Sequence, residues 1–226
     1  MKDVRDLKFS VLDKHEVSAV LQMSEKSSCL LVLGHGAGAG MSHPSMTAIA
    51  DELGTVGIAT LRYQFPYMEE HRGIPDPQRV LTATVTAAVH VAAKCAPKLP
   101  LFAGGKSMGG RMTSLAAAEQ PLENVKGLVF FGFPLHPPKR PSDKRGEHLK
   151  LVKVPMLFLQ GTRDDLADLT LLGPVREALG ALARLHIIDG ADHSFHVLKR
   201  SGRTDTEVLA ELAGTVKTWA SALSVS

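Results

Sequence analysis

The pentapeptide GKSMG at residues 105–109 contains the residue types and spacing most suited to chemistry. Its Gly-Lys-Ser matches the end of a phosphate-binding P-loop, and its G-x-S-x-G matches the turn that exposes a nucleophilic serine. A P-loop needs a glycine five residues before the glycine of Gly-Lys-Ser, because backbone amides fold around the phosphate there. Pro100 holds that position and has no amide hydrogen to donate. The sequence therefore favours Ser107 as a nucleophile.

A nucleophilic serine needs a base to take its proton and an acid to orient that base. Asp164 and His193 each follow an apolar, strand-like run, and they come after Ser107 in the chain. Because the carboxyl ends of parallel strands meet at one edge of a sheet, we expect all three side chains to lie together. Asp165 and Asp168 share the loop with Asp164, but Asp164 is nearest to the end of its strand. The predicted triad is Ser107, Asp164 and His193.

A glycine-rich stretch, LGHGAGAG at residues 33–40, follows another apolar run. Its backbone can approach the serine, so we expect the amides of Ala37 and Met108 to form an oxyanion hole. The stretch can also be interpreted as a dinucleotide-binding loop. Met41, however, stands where the third spaced glycine belongs, and no acidic residue ends the next strand-like run. We therefore expect no nicotinamide cofactor.

Several other residues come from loops that such a fold would place near the site. Each is about as apt to brace a loop as to bind substrate: Arg62, Tyr63, Arg111 and His136. The sequence favours a loop-bracing role for His35 and leaves Lys106 free to point to solvent. His193 and His196 suggest a metal pair, but no further ligand cluster has metal spacing. We therefore expect no metal and no other cofactor.

The elements that must position these residues begin with four short apolar runs bounded by glycine or proline. They are residues 30–33, 128–131, 156–159 and 185–188. Runs without alternation are typical of strands buried on both faces of a parallel sheet. Residues 58–63 and 99–103 predict two weaker strands, and residues 9–12 and 17–23 predict an opening antiparallel hairpin. The sheet would have about eight strands.

The segments between the strands have helical patterns. We expect Asp76 to cap a helix that Pro77 opens, and Thr204 and Glu207 to form a capping box before the last helix. This order of strands and helices predicts an α/β fold with a doubly wound, mostly parallel sheet. Residues 134–150 form the one long irregular connection and leave no room for a separate lid domain.

The length of 226 residues suits one α/β domain, 1–226. Lysine and arginine number 26 against 23 acidic residues, which is too even for a nucleic-acid partner. Bases cluster only in residues 139–150, interpreted as a solvated connection or an anion-facing lip. Neither a signal peptide nor an apolar run of about 18 residues is present, so we expect a cytoplasmic protein with no membrane partner. Two isolated cysteines, Cys29 and Cys95, predict unreactive thiols.

Over nearly its whole length the chain resembles the α/β-hydrolase family. The motifs are HGAGAGMSHP, LRYQFPY, GGKSMGGRM, GFPLHPP, GTRD and GADHSF. They look like the small, lidless, dienelactone-hydrolase-like branch, and a testis-expressed hydrolase family within it. The resemblance implies an α/β-hydrolase fold and acyl transfer to water through an acyl-serine. Dienelactone hydrolases proper carry a cysteine nucleophile, so Ser107 argues against a dienelactone substrate.

The function expected from these patterns is a serine hydrolase that cleaves a carboxylic ester or thioester of a small substrate. Two alternatives stay open. One is a non-catalytic binding or scaffold protein that has kept the hydrolase fold, since a fold alone does not imply a function. The other is a small peptidase of the same fold, although such enzymes usually append a further domain to grip the peptide.

Overall fold

The computed structural model describes residues 2–224, and its centre is one eight-stranded sheet. The strands are β1 (Lys2–Val11), β2 (His15–Ser24), β3 (Cys29–Gly34), β4 (Ile58–Tyr63), β5 (Leu101–Lys106), β6 (Val125–Phe131), β7 (Met156–Gly161) and β8 (Ala183–Ile188). Their order across the sheet is β1-β2-β4-β3-β5-β6-β7-β8. Strands β1 and β2 pair antiparallel, as do β2 and β4, and the other pairs are parallel. The predicted opening hairpin and mostly parallel sheet are confirmed.

Helices cover both faces of the parallel strands, which explains why their sequences lack alternation. They are α1 (Pro44–Thr55), the single turn α2 (Pro66–Glu69), α3 (Gln78–Cys95), α4 (Met108–Glu119), α5 (Leu169–Leu179) and α6 (Asp205–Ser224). On one face, α1 and α6 bury Met46, Leu53, Val216 and Trp219 against the sheet. On the other, α3, α4 and α5 bury Val85, Met112 and Leu172. Two apolar layers therefore hold the sheet between them.

Helix capping agrees with the sequence at one end of the chain and differs in the middle. Thr204 and Glu207 form the expected capping box, with each backbone N–H bonded to the other residue's side chain. The prediction that Asp76 caps α3 is wrong. Its carboxylate instead accepts the Tyr67 backbone N–H at 2.8 Å and pairs with Arg72 at 2.6 Å. Asp76 thus ties α2 to the segment that follows it.

Strand β5 is displaced from the predicted residues 99–103 and runs through Gly104 and Gly105 to Lys106. A Cβ on Gly104 would collide with the carbonyl oxygen of Val129 on the neighbouring strand. Glycine is needed for this close approach, so these glycines belong to the strand and not to the turn. The strand therefore ends immediately before Ser107.

The long connection at residues 134–150 is only partly irregular. It ends in a 3-10 helix, Lys144–Leu151, that packs against α4. Leu149 of this helix and Leu135 before it are both fully buried. Within residues 2–224 the connection lies against the main sheet and its helices and forms no separate lid domain.

None of the helices in residues 2–224 combines the length and the apolar character needed to cross a membrane.

Candidate active site

Ser107 occupies a sharp turn between β5 and α4. Its φ of 51° and ψ of −116° are unusual for a residue with a side chain. Its backbone N–H donates to Phe131 O at 3.1 Å, which fixes the turn against β6. Gly109, in the first turn of α4, touches the carbonyl groups of Gly34 and His35, and a Cβ there would collide with both. The small residues around Ser107 therefore allow the helix to pack tightly behind it.

His193 connects Ser107 to Asp164. Its Nδ1 lies 2.7 Å from Asp164 Oδ2, and its Nε2 lies 2.8 Å from Ser107 Oγ. A carboxylate can only accept, so Nδ1 carries the hydrogen and Nε2 presents its lone pair to the serine hydroxyl. The three residues predicted as a triad are thus brought together in the order that activates a serine.

Asp164 is held by more than the histidine. Its side chain is 1% exposed, and its Oδ1 accepts the backbone N–H of Leu166 at 2.8 Å. Gln160, the penultimate residue of β7, is fully buried and donates through Nε2 to Asp164 Oδ2. Sequence reasoning missed Gln160, although a polar residue inside an apolar strand is a signal, because a buried amide must find partners.

The loop predicted to form the oxyanion hole lies beside the serine. A Cβ on Gly36 would be 3.7 Å from Ser107 Cβ. His35, fully buried, fixes this loop, since its Nε2 accepts Phe65 N–H at 3.1 Å and its Nδ1 donates to Gly36 O at 2.8 Å. Burial lowers the pKa of His35 to about 4, so its ring is neutral. The loop-bracing role expected of His35 matches these contacts.

The two backbone amides expected to hold the oxyanion differ in position but share one property. Ala37 lies at the exposed tip of the glycine-rich loop, and Met108 is the first residue of α4. Neither N–H donates a hydrogen bond to an acceptor in the part of the chain that the structure describes. Both N–H groups are therefore available to an acceptor from outside the chain.

Lys106 does not point to solvent, as the sequence had suggested. The residue is 8% exposed, and its Nζ donates to the backbone carbonyl of His193 at 2.5 Å. The reason is that β5 extends to Lys106, which is its last residue. Strand β5 lies inside the sheet, between β3 and β6. Its side chain must then lie along the edge of the sheet, where the His193 loop covers it.

Two residues predicted to bind substrate are buried and used elsewhere. Tyr63 is fully buried, and its hydroxyl occupies the space beside Gly34, where a Cβ would lie 2.6 Å from it. Arg62 is 6% exposed and donates through Nη1 to Met41 O and Thr47 Oγ1. Neither has a surface with which to touch a substrate in this structure, so both assignments are corrected to packing and loop bracing.

The other two candidates differ from each other. His136 is 4% exposed, with Nδ1 donating to Pro137 O and Nε2 accepting Asp168 N–H, so both ring nitrogens are occupied. It braces two loops and is not free to bind substrate. Arg111 is half-buried one turn after Ser107, and within residues 2–224 its side chain donates no hydrogen bond. Of the four candidates, only Arg111 combines a partly exposed side chain with the absence of any side-chain hydrogen bond among residues 2–224.

Two other groups could compete with this site for a catalytic or metal-binding role. They are a second serine–histidine pair and His196, the second histidine of the loop after β8. Ser114, which is fully buried, lies 2.8 Å from His148 Nε2 and donates to Arg111 O. His196 bonds Asp205 at 2.8 Å and does not pair with His193. Across residues 2–224, no group of three or more histidine, cysteine or acidic side chains is arranged to hold a metal ion.

Comparisons with known proteins agree with this architecture. The sequence model of the alpha/beta hydrolase domain matches residues 27–221. The fold is similar to that of a dienelactone hydrolase from Anabaena variabilis, with a TM-score of 0.75 and 24% identity over 96% of each chain. XC6422 from Xanthomonas campestris, described as a serine hydrolase without lid, gives a TM-score of 0.74 and 19% identity, over 96% of this chain and 95% of that chain. The esterase domain of a Rhodothermus marinus protein gives 0.72 and 15%, over 96% of this chain and 98% of that domain. The chain therefore belongs to the α/β-hydrolase family, and its fold is similar to those of a dienelactone hydrolase and of a serine hydrolase without lid.

Proposed function

We propose that the protein is a serine hydrolase that cleaves a carboxylic ester or thioester of a small substrate. The observation that carries this proposal is the continuous line of hydrogen bonds from Ser107 Oγ through His193 to the Asp164 carboxylate. A serine hydroxyl becomes a useful nucleophile only when a neighbouring imidazole can take its proton. Here the imidazole has the required tautomer, because Asp164 accepts its Nδ1 hydrogen.

In the first half of the proposed reaction, Ser107 Oγ attacks the acyl carbon while its proton passes to His193 Nε2. The carbonyl oxygen becomes an oxyanion, which accepts hydrogen bonds from the amides of Ala37 and Met108. The Asp164 carboxylate stabilises the imidazolium that has formed. His193 then gives its proton to the leaving alcohol or thiol, and the acyl group stays on Ser107.

In the second half, water takes the place of the leaving group. His193 removes a proton from the water as its oxygen attacks the acyl-serine, and the same two amides hold the second oxyanion. Collapse of this intermediate returns the proton to Ser107 and releases the carboxylic acid. Neither half needs a metal or a redox cofactor, because only protons and the acyl group move.

A small ester or thioester fits better than a peptide. The chain has no segment within residues 2–224 that forms a lid or a further domain over the catalytic edge of the sheet. Two of the similar structures are described as an esterase domain and a serine hydrolase without lid, which supports ester chemistry by likeness of fold. The presence of Ser107 in place of a cysteine gives no support for a dienelactone substrate.

The decisive experiment is labelling with a fluorophosphonate, which bonds covalently to an activated serine. Wild-type protein should gain the mass of one phosphonyl group, and the Ser107→Ala variant should gain none. Ser107→Ala should also lower the turnover of any good ester by about 10³-fold or more. Ser114→Ala is the control. Because Ser114 is buried and should not react, this variant should be labelled as the wild type is. Wild-type protein that folds but is not labelled would favour the non-catalytic binding protein.

A substrate panel then separates ester from peptide chemistry. Aryl esters and acyl thioesters of increasing acyl length should be hydrolysed, and the preferred length defines the acyl pocket. Anilides of the same acyl groups, and anilides of short peptides, should react far more slowly. Faster cleavage of the anilides would replace the esterase by the peptidase.

A further inference from the structure

A lysine occupies a position that the proposed mechanism does not use. Lys106 directly precedes Ser107, and its ammonium group is buried against the loop that carries His193. The bond from Lys106 Nζ to His193 O joins the neighbour of the nucleophile to the backbone of the base. Consecutive residues of β5 and its turn therefore contact both ends of His193: Lys106 the main chain and Ser107 the ring.

The ammonium group makes a second contact with the same loop. It lies 5.6 Å from the ring centroid of Phe195, within the range of a cation–π interaction. Phe195 is 3% exposed and packs into the core beneath α6, and its φ of 64° shows that the loop turns sharply there. The ring of Phe195 and the carbonyl of His193 thus hold the Lys106 ammonium group in one position.

Gly132 leaves the space that this arrangement needs. Its φ is 70°, and a Cβ there would lie 3.2 Å from Lys106 Nζ and 3.3 Å from His193 Nδ1. Lys106 and His193 therefore pack side by side over the end of β6.

The charged groups that face the ammonium are the carboxylates of Asp164 and Asp192. Neither approaches within 4.0 Å of Nζ, so the lysine has no direct ion pair among residues 2–224. Burial is the larger influence and lowers the pKa of Lys106 to about 8, and the two carboxylates oppose this shift. The lysine is therefore mostly charged at neutral pH and neutral in alkaline solution.

We propose that Lys106 is a positioning residue that holds the His193 loop at the distance from which Nε2 reaches Ser107 Oγ. The inference rests on the proposed serine hydrolase function, because it concerns the alignment of that base with that nucleophile. The other backbone and side-chain bonds of this loop lead to different elements. Arg163 N–H and Thr162 Oγ1, in the loop after β7, bond its first residues, and Asp205 of α6 bonds its last ones. Lys106 supplies its bond to the strand that carries the nucleophile.

Loss of this bond should impair the chemical step more than substrate binding. A shift of about 1 Å in a reacting group can cost about 10²-fold in rate. Lys106→Met removes the donor and the charge while keeping an unbranched side chain of similar reach. We expect its kcat to fall about tenfold to a hundredfold with little change in KM. Lys106→Gln, which keeps a neutral donor, should fall in between.

The experiment combines two readouts on purified wild type, Lys106→Met, Lys106→Gln and the control Lys98→Met. Lys98 is exposed and lies before β5, at the opposite end of that strand. The first readout is the rate of fluorophosphonate labelling and ester turnover from neutral pH to about pH 10. The second is amide hydrogen exchange at residues 190–197, which needs no catalysis.

The proposal predicts slower fluorophosphonate labelling of Lys106→Met and faster amide hydrogen exchange in its His193 loop. It also predicts that labelling and ester turnover decline above about pH 8 in the wild type but not in Lys106→Met or Lys106→Gln. Unchanged labelling and unchanged exchange in a folded Lys106→Met would overturn the positioning role. If that variant does not fold, Lys106→Gln and the wild-type alkaline profile decide in its place. A wild type that is never labelled refutes the serine hydrolase, and the exchange measurement still decides whether Lys106 holds the loop.

Discussion

Gln160 and His193 donate to the same carboxylate oxygen of Asp164. Gln160 reaches it from within β7 and uses its own Oε1 to accept the backbone N–H of Phe133 at 3.0 Å. The glutamine is thus locked at both ends of its amide group. The plane of the Asp164 carboxylate sets the direction of its hydrogen bond to His193. Gln160 therefore orients the His193 ring indirectly, by orienting that carboxylate.

Gln160→Met should lower kcat by about tenfold to a hundredfold while leaving KM nearly unchanged, because Asp164 loses one of the donors that orient it. The variant should also be less stable by about 1–3 kcal/mol, since the buried N–H of Phe133 loses its acceptor. Steady-state kinetics and urea unfolding measure the two effects. Gln120→Met, at an exposed position, is the control. If Gln160→Met folds and keeps the wild-type kcat, Gln160 has no role in orienting Asp164.

Asp164→Asn should reduce kcat by up to about 10⁴-fold, because an amide in place of the carboxylate favours the wrong tautomer of His193. Asp165→Asn should change kcat by less than about tenfold, since Asp165 is exposed. Asp168→Asn should be similarly mild, because Asp168 caps α5 through Thr170 N–H and asparagine also caps well. Kinetics on a chromogenic ester give all three values. A crippled Asp165→Asn beside a nearly silent Asp164→Asn would show that the acid is misassigned.

Gly132→Ala should lower both activity and stability. Its new methyl group would press on Lys106 Nζ and His193 Nδ1, and the φ of 70° is strained for alanine. Gly202→Ala is a matched control, because Gly202 has the same φ of 70° and no atom lies within 4 Å of the place its new methyl group would take. Both variants should lose about 1–2 kcal/mol of stability from the backbone, but only Gly132→Ala should lose activity. Equal activities would mean that the space beside Gly132 is not critical.

Acid should destabilise the protein in part through His35. The pKa of this buried ring is about 4 in the folded state, below the value of about 6.5 for an unfolded chain. The unfolded state therefore binds the proton first, and the stability is complete above about pH 6.5 and is lost as pH falls toward 4. The difference in unfolding free energy between wild type and His35→Asn should shrink by up to about 1.4 kcal/mol per pH unit in that window. A difference that stays constant with pH would contradict this.

The sequence predicted the meeting of Ser107, Asp164 and His193 because that meeting depends on topology. Each residue follows a strand of one parallel sheet, and the carboxyl ends of such strands share an edge whatever the detailed packing. The sheet itself was predictable from apolar runs bounded by glycine and proline, and the last helix from its capping box. The roles of the three residues in catalysis remain the proposal tested above.

Side-chain direction was not predictable from the same patterns. Tyr63 ends the predicted strand 58–63 and was expected to face the site, yet its place in β4 opposite Gly34 sends the ring into the core. Lys106 reads as exposed, yet the extension of β5 turns it beneath the His193 loop. The Lys106 error comes from a strand boundary that glycines obscure, because Gly104 and Gly105 look like turn residues while a neighbouring backbone requires Gly104 inside the strand.

The backbone of Ser107 implies that this fold would be more stable with glycine at the turn between β5 and α4. A sparsely populated backbone conformation costs a residue with a Cβ about 1–3 kcal/mol, and Ser107 adopts one, with φ of 51° and ψ of −116°. Ser107→Gly should therefore unfold at a higher denaturant concentration than Ser107→Ala, although both are inactive. The turn therefore holds a serine where glycine would be more stable, which is the pattern expected of a residue kept for a reason other than folding.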